Sequence, residues 1–133
     1  MSSGNSFCLD TSAYSAFNRG DGRLKRWFSA SSEICVPLIV IGELRAGFAA
    51  GTKQQINNNL LQRFLDAANV HTMTLSDKTT RLFAEIYFNL RQNGNPIGAN
   101  DMWIAALAME HELPLLTLDS HFLGITGLQL IEI

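Results

Sequence analysis

At 133 residues, 47% of them hydrophobic and 17% charged, the chain has the size and balance of one globular domain over residues 1–133, which argues against a disordered or fibrous protein. A net charge of -2 excludes broad attraction to nucleic acid, so any such binding has to come from a local patch. No apolar run approaches the roughly 18 residues that cross a bilayer, and Cys8 and Cys35, each inside an apolar strand-like run, read as buried reduced thiols. The opening lacks the basic and apolar regions of a signal peptide. Residues 1–5 are therefore expected to be a flexible lead-in, and the compartment the cytoplasm.

Residues 6–9 form a short apolar run that predicts a strand ending at Asp10. Thr11–Asn18 then has helical spacing through Ala13 and Phe17 until Gly20 and Gly22 stop it. A second helix is expected over residues 23–30, with Arg23, Lys25 and Arg26 outward and Leu24, Trp27 and Phe28 inward. Residues 33–36 read as a second strand, and Pro37 opens a helix to about Ala50. An amphipathic helix follows over residues 53–68, then a third strand over residues 70–73. Ser76 caps the next helix, which Asn93-Gly94-Asn95-Pro96 breaks, and Asn100 is expected to cap a helix reaching Glu112. Fourth and fifth strands are expected over residues 114–118 and 128–131. This alternation predicts a mainly parallel five-stranded sheet with helices on both faces. Such sheets collect ligands at the carboxyl ends of their strands, where Asp10 and Asp119 fall.

Four acids stand out: Asp10, Glu43, Asp101 and Asp119. Each has an ordinary alternative. Asp10 precedes Thr-Ser-Ala as a helix cap does, and Asp101 suits the dipole of a helix's first turn. Asp119 fits an Asx turn just past a strand. Yet the face of Asp101 continues through Ile104, Ala105 and Ala108, a core side. Glu43 has Ile39, Val40, Ala46 and Gly47 three and four residues away, so it is expected to face inward. Interior carboxylates are rarely tolerated without a partner. Two of them about 4 Å apart repel by roughly 4 kcal/mol at an effective dielectric of 20. Four acids brought together therefore call for a cation, and an all-oxygen ligand set suits Mg²⁺ or Mn²⁺. Such an ion acidifies a bound water and offsets charge on an attacked phosphate. The chain has no HxH, HExxH or CxxC for zinc, and no GxGxxG, GxxxxGK[ST] or GxSxG for dinucleotide, P-loop or serine-hydrolase chemistry.

Four segments in order resemble the PIN-domain nucleases, particularly the VapC-type toxins of bacterial toxin–antitoxin pairs. They are Leu9-Asp10-Thr11-Ser12, Gly42-Glu43-Leu44-Arg45-Ala46-Gly47, Asn100-Asp101-Met102-Trp103-Ile104-Ala105-Ala106 and Leu116-Thr117-Leu118-Asp119-Ser120-His121-Phe122. The resemblance implies a three-layer α/β/α sandwich and Mg²⁺-dependent endoribonuclease cleavage that leaves a 3′-hydroxyl and a 5′-phosphate. It implies Asp10 and Asp101 as the direct metal ligands, with Glu43 and Asp119 completing a catalytic set of four. Thr11, Ser12 and Asn100 are implied as supporting residues, and Arg45 as a contact to RNA or antitoxin. A homodimer and a cognate antitoxin whose tail fills the acidic groove are implied as well. One position departs from the family pattern: many members have an acid immediately before the last aromatic, where this chain has His121. The competing reading is a catalytically silent PIN-like module that binds RNA or a protein. The intact set of Asp10, Glu43 and Asp101 speaks against it.

Overall fold

Two short apolar runs, a mixed one and a fourth of two residues make the sheet of the computed structural model, which describes residues 5–133. The lead-in expected over residues 1–5 lies, Asn5 apart, outside the described residues. Strand β1 (Phe7–Leu9) is followed by helices α1 (Thr11–Asn18) and α2 (Gly22–Ala30). Strand β2 (Ile34–Pro37) leads into α3 (Leu38–Ala50) and α4 (Gln54–Leu65), and β3 (Val70–Met73) into α5 (Asp77–Gln92) and α6 (Ala99–Glu110). Strand β4 (Leu115–Leu116) and a 3₁₀ helix, Ser120–Gly124, complete the order.

The strands pair in the order β3-β2-β1-β4, all parallel. Central β1 has an unbroken apolar sequence because both its faces are covered: Phe7, Cys8 and Leu9 are fully buried. At the edge, β3 buries Val70 and Met73 and leaves His71 and Thr72 exposed. Right-handed crossovers send α1–α4 to one face while the chain steps from β1 to β3, and α5 and α6 to the other as it returns to β4. The aromatic contacts agree with that division. Phe28 on α2 stacks on Phe17 of α1 at 4.0 Å, lies 5.7 Å from Phe64 of α4 and packs on Phe7 of β1 at 5.9 Å. Across the sheet, Phe83 of α5 stacks on Trp103 of α6 at 3.9 Å. Three alanines of α6, Ala105, Ala106 and Ala108, are fully buried and let that helix lie close to its neighbours. Phe28 and Trp27 thus face inward, the latter half-buried with its ring edge-on to Phe7. Cys8 and Cys35 are adjacent across β1 and β2 as free thiols, and burial pushes both up from the ordinary range. Among the described residues, no helix is long and apolar enough to cross a membrane.

Several boundaries differ from those expected. The fifth strand reduces to a single parallel bridge, Leu115 with Leu130, so the sheet has four strands. Strand β4 is also shorter than expected. Beyond Leu116, the Leu118 N–H donates to Ser12 Oγ and the Asp119 N–H to Thr117 Oγ1, so side chains take the donors a longer ladder would use. Gly98, in extended conformation, caps α6 in place of Asn100, which stands within the first turn with its amide free to reach another helix. Helix α4 ends at Leu65 rather than near residue 68, with Asp66 as its C-cap. On α5, Arg81 pairs with Asp77 one turn earlier at 2.9 Å. The cap at Ser76 is as expected, and Thr79 closes it reciprocally.

The order β3-β2-β1-β4 creates a switch point. From β1 the chain leaves for one face, and it enters β4 from the other. The crevice between their carboxyl ends is where such a sheet admits a ligand, and the next residues of interest are Asp10 and Asp119.

Candidate active site

Asp10 is the innermost acid, 3% exposed. It begins as the helix cap the sequence suggests, accepting from the Ala13 N–H at 2.9 Å. Two hydroxyls add to that bond: Ser12 Oγ donates at 2.8 Å and Thr117 Oγ1 at 2.6 Å. Both hydroxyls are used twice. Ser12 Oγ accepts from the Leu118 N–H at 3.0 Å, and Thr117 Oγ1 from the Asp119 N–H at 2.9 Å. Thr117 thus joins the end of β4 to the end of β1, and sequence reasoning missed it. The available signal was its place directly before the Leu-Asp pair at a strand end. Burial pushes the Asp10 carboxyl up, Thr117, Ala13 and Ser12 pull it back, and Asp119 adds a further push.

Glu43 sits higher on the wall of the crevice and is half-buried. Its Oε1 accepts from Thr11 Oγ1 at 2.6 Å and its Oε2 from Asn100 Nδ2 at 3.2 Å, which ties α3 to α1 and α6. The stripe expected to carry it inward is core only in part. Val40 is buried and Ile39 half-buried, but Ala46 and Gly47 are exposed. Glu43 therefore stands where α3 passes from core to surface, which is where a carboxylate can meet a ligand from solvent.

Asp101, in the first turn of α6, is half-buried. Burial pushes its carboxyl up, as do the charges of Asp119, Glu43 and Asp10, in that order after burial; His121 pulls it down. All four acids predicted from the sequence therefore converge. Asp119 caps the 3₁₀ helix, its Oδ1 accepting from the His121 N–H at 2.9 Å. The His121 ring turns back toward the acids, with Nδ1 3.2 Å from Asp119 Oδ1 and 3.8 Å from Asp101 Oδ2. Among the described residues, no lysine or arginine lies within ion-pair distance of the four carboxylates. Arg45 faces elsewhere, donating to Asn58 Oδ1 at 2.8 Å and Gln62 Oε1 at 3.4 Å on α4.

Four carboxylates brought together, open to solvent on one side and with no lysine or arginine beside them among the described residues, form a donor set that fits a hard divalent ion. An alternating α/β chain with such a cluster at its switch point is an acidic-site α/β domain. Its family is specific: the profile described as PIN domain matches residues 7–128, and the chain belongs to the PIN domain family. Over 125 residues it is 29% identical to "Ribonuclease VapC5" of Mycobacterium tuberculosis, spanning 94% of this chain and 91% of that protein. The solved structure of VapBC2 from Rickettsia felis, bound to a DNA fragment from their promoter, matches with a TM-score of 0.85 at 27% identity, over 95% of this chain and 97% of that one. VapBC-5 of Mycobacterium tuberculosis, a member of the VapBC family of toxin-antitoxin systems, matches with a TM-score of 0.74 at 26% identity, over 97% of this chain and 99% of that one.

Proposed function

We propose that the protein is a divalent-metal-dependent endoribonuclease and the toxin of a toxin–antitoxin pair. The observation that supports this best is the convergence of Asp10, Glu43, Asp101 and Asp119 at the switch point without a lysine or arginine to balance them. The 29% identity to a ribonuclease over 94% of this chain and 91% of that protein supports the substrate class. Asp10 and Asp101 are assigned as the direct ligands of Mg²⁺, with Mn²⁺ as a second fit, and Glu43 and Asp119 as the remaining acids. When bound, the ion supplies Lewis-acid stabilisation of the attacked phosphate and a nucleophile at neutral pH. The protein's own part is positioning. Ser12 and Thr117 hold both oxygens of Asp10, and Thr11 and Asn100 hold those of Glu43. Glu43, reached from solvent and fixed at both oxygens, is the group placed to take a proton from an attacking water.

A protein partner is part of the same reading. The likeness to VapBC assemblies supports a cognate antitoxin. Apolar side chains left exposed on α4, Ile56 and Leu60, and on α5, Tyr87 and Phe88, provide surface for that chain and for a second copy in a homodimer. Arg45, committed to α4, is assigned to that partner surface rather than to RNA.

The test is cleavage of a panel of structured RNAs by antitoxin-free protein, with Mg²⁺ and with EDTA, beside Asp101→Asn. Cutting that requires the ion and falls by at least about 100-fold in the variant is expected. A folded protein that binds RNA from the panel but cuts none of it is a silent binding module instead.

A further inference from the structure

We propose that His121 is a nitrogen ligand of the same divalent ion, and that it biases the site toward transition ions such as Mn²⁺ and Co²⁺ over Mg²⁺. The inference rests on the metal-dependent reading above and adds to it a ligand and a selectivity. One ligand atom each from Asp101, Asp119 and His121 lies within 4.8 Å of the others. Within that group, His121 Nδ1 is 3.2 Å from Asp119 Oδ1 and 3.8 Å from Asp101 Oδ2. An octahedral ion with bonds of about 2.1 Å sets neighbouring ligand atoms about 3 Å apart and opposite ones about 4.2 Å apart. The two distances from His121 Nδ1, 3.2 and 3.8 Å, lie within the range those limits span.

Local backbone geometry explains why the ring is there. The His121 N–H closes a turn onto Asp119 Oδ1, so the side chain leaves the chain beside that carboxylate. The next residue, Phe122, is fully buried and anchors the 3₁₀ helix from below. Its side chain is 66% exposed, and among the described residues the charged groups within ion-pair distance of the ring are Asp101 and Asp119. In the tautomer with the proton on Nε2, Nδ1 presents its lone pair to the space shared by both carboxylates.

Ligand chemistry then sets the selectivity. Carboxylates serve Mg²⁺ and Mn²⁺ alike, whereas imidazole favours transition ions increasingly from Mn²⁺ to Co²⁺ and adds little for Mg²⁺. A fourth acid at this position, with no imidazole nearby, would leave the site a hard oxygen site. The alternative is that His121 is only a counter-charge. In that role it competes with any cation, and removing it strengthens the binding of every ion alike.

The experiment uses the whole protein, stripped of metal and free of RNA. Mn²⁺-loaded protein is examined by pulsed EPR for coupling to ¹⁴N, and Mg²⁺, Mn²⁺ and Co²⁺ are titrated into wild type and His121→Ala by calorimetry. Expected are ¹⁴N coupling in the wild type that is lost in the variant, and a Co²⁺ affinity about 10-fold weaker in the variant with Mg²⁺ changed by less than about 3-fold. Metal binding without ¹⁴N coupling, or an equal change for all three ions, overturns the ligand role and leaves the nuclease reading standing. Failure of the wild type to bind any of the ions overturns both. Circular dichroism of the variant guards against misfolding, and His121→Gln, which keeps bulk without an imidazole, has to repeat the loss.

Discussion

Thr117 joins two of the four acid positions. Its hydroxyl donates to Asp10 and accepts from the Asp119 N–H, so one side chain sets the separation of two carboxylates from opposite ends of the chain. Valine has the same shape and neither function. Thr117→Val is expected to destabilise the fold by about 1–3 kcal/mol, through the orphaned backbone N–H and the weakened anchoring of Asp10, and to depress RNA cleavage. Thr117→Ser should retain both properties. Urea denaturation with a cleavage assay checks this, and a valine variant that is stable and active would remove Thr117 from the site. Residue-level chemistry was legible in the sequence where an acid broke an apolar pattern, as at Asp101, or followed a strand, as at Asp10. Thr117 broke no pattern. A threonine at the end of a buried strand is ordinary, and only the return of β4 beside β1 gives it a partner 107 residues away.

Among the elements, helices were read more faithfully than strands because their signals are local. Ser76 and Thr79 cap α5 reciprocally, and Ser76 Oγ also reaches Glu110 of α6 at 2.8 Å, so the cap joins two helices. Ser76→Ala should therefore cost about 1 kcal/mol, read as a lower denaturation midpoint with an unchanged slope. A change in the slope instead would mean that α5 frays as a unit. The misread elements share a cause. Residues 128–131 are apolar enough for a strand, but β4 is two residues long and offers partners for one bridge only. Beyond β4, Ser12 and Thr117 take the Leu118 and Asp119 N–H groups that a longer strand would use, an effect of the site on the sheet. Asn100 was a credible cap by residue type. Gly98 took that position in extended conformation, and the asparagine amide went to Glu43 across the α3–α6 contact.

Taken whole, the molecule holds like charges together without a fixed counter-charge of lysine or arginine. The carboxyls of Asp10 and Asp101 are both raised, mainly by burial. A carboxyl raised in the fold favours folding while protonated and opposes it once ionised, so the stability it lends is lost as pH rises through its folded value. At neutral pH, metal-free Asp101→Asn should melt above the wild type, on the order of 2–5 °C, and that advantage should shrink as pH falls toward the ordinary carboxylate range. Saturating Mg²⁺ should reverse the order. An ion at 100 times its dissociation constant stabilises the native state by about 2.7 kcal/mol, and the variant should forgo most of that gain. Thermal melts with and without chelator decide the matter; a variant melting below wild type in chelator would mean that Asp101 is held by favourable contacts rather than tolerated at a cost.

The strand order has a consequence for the protein's birth as well as its work. Of the sheet's four strands β4 is made after the other three, yet it lies against β1, the earliest of them. Until residues 115–119 leave the ribosome, Asp10 lacks the hydroxyl of Thr117, the crevice lacks a wall, and Asp119 does not exist as a neighbour. A nascent chain halted at α6 has made three of the four acids and none of the geometry that unites them with the fourth. On the nuclease reading, cutting power arrives only when β4 joins β1 rather than growing with the chain, so a nascent chain halted at α6 is harmless to the messenger and ribosome producing it.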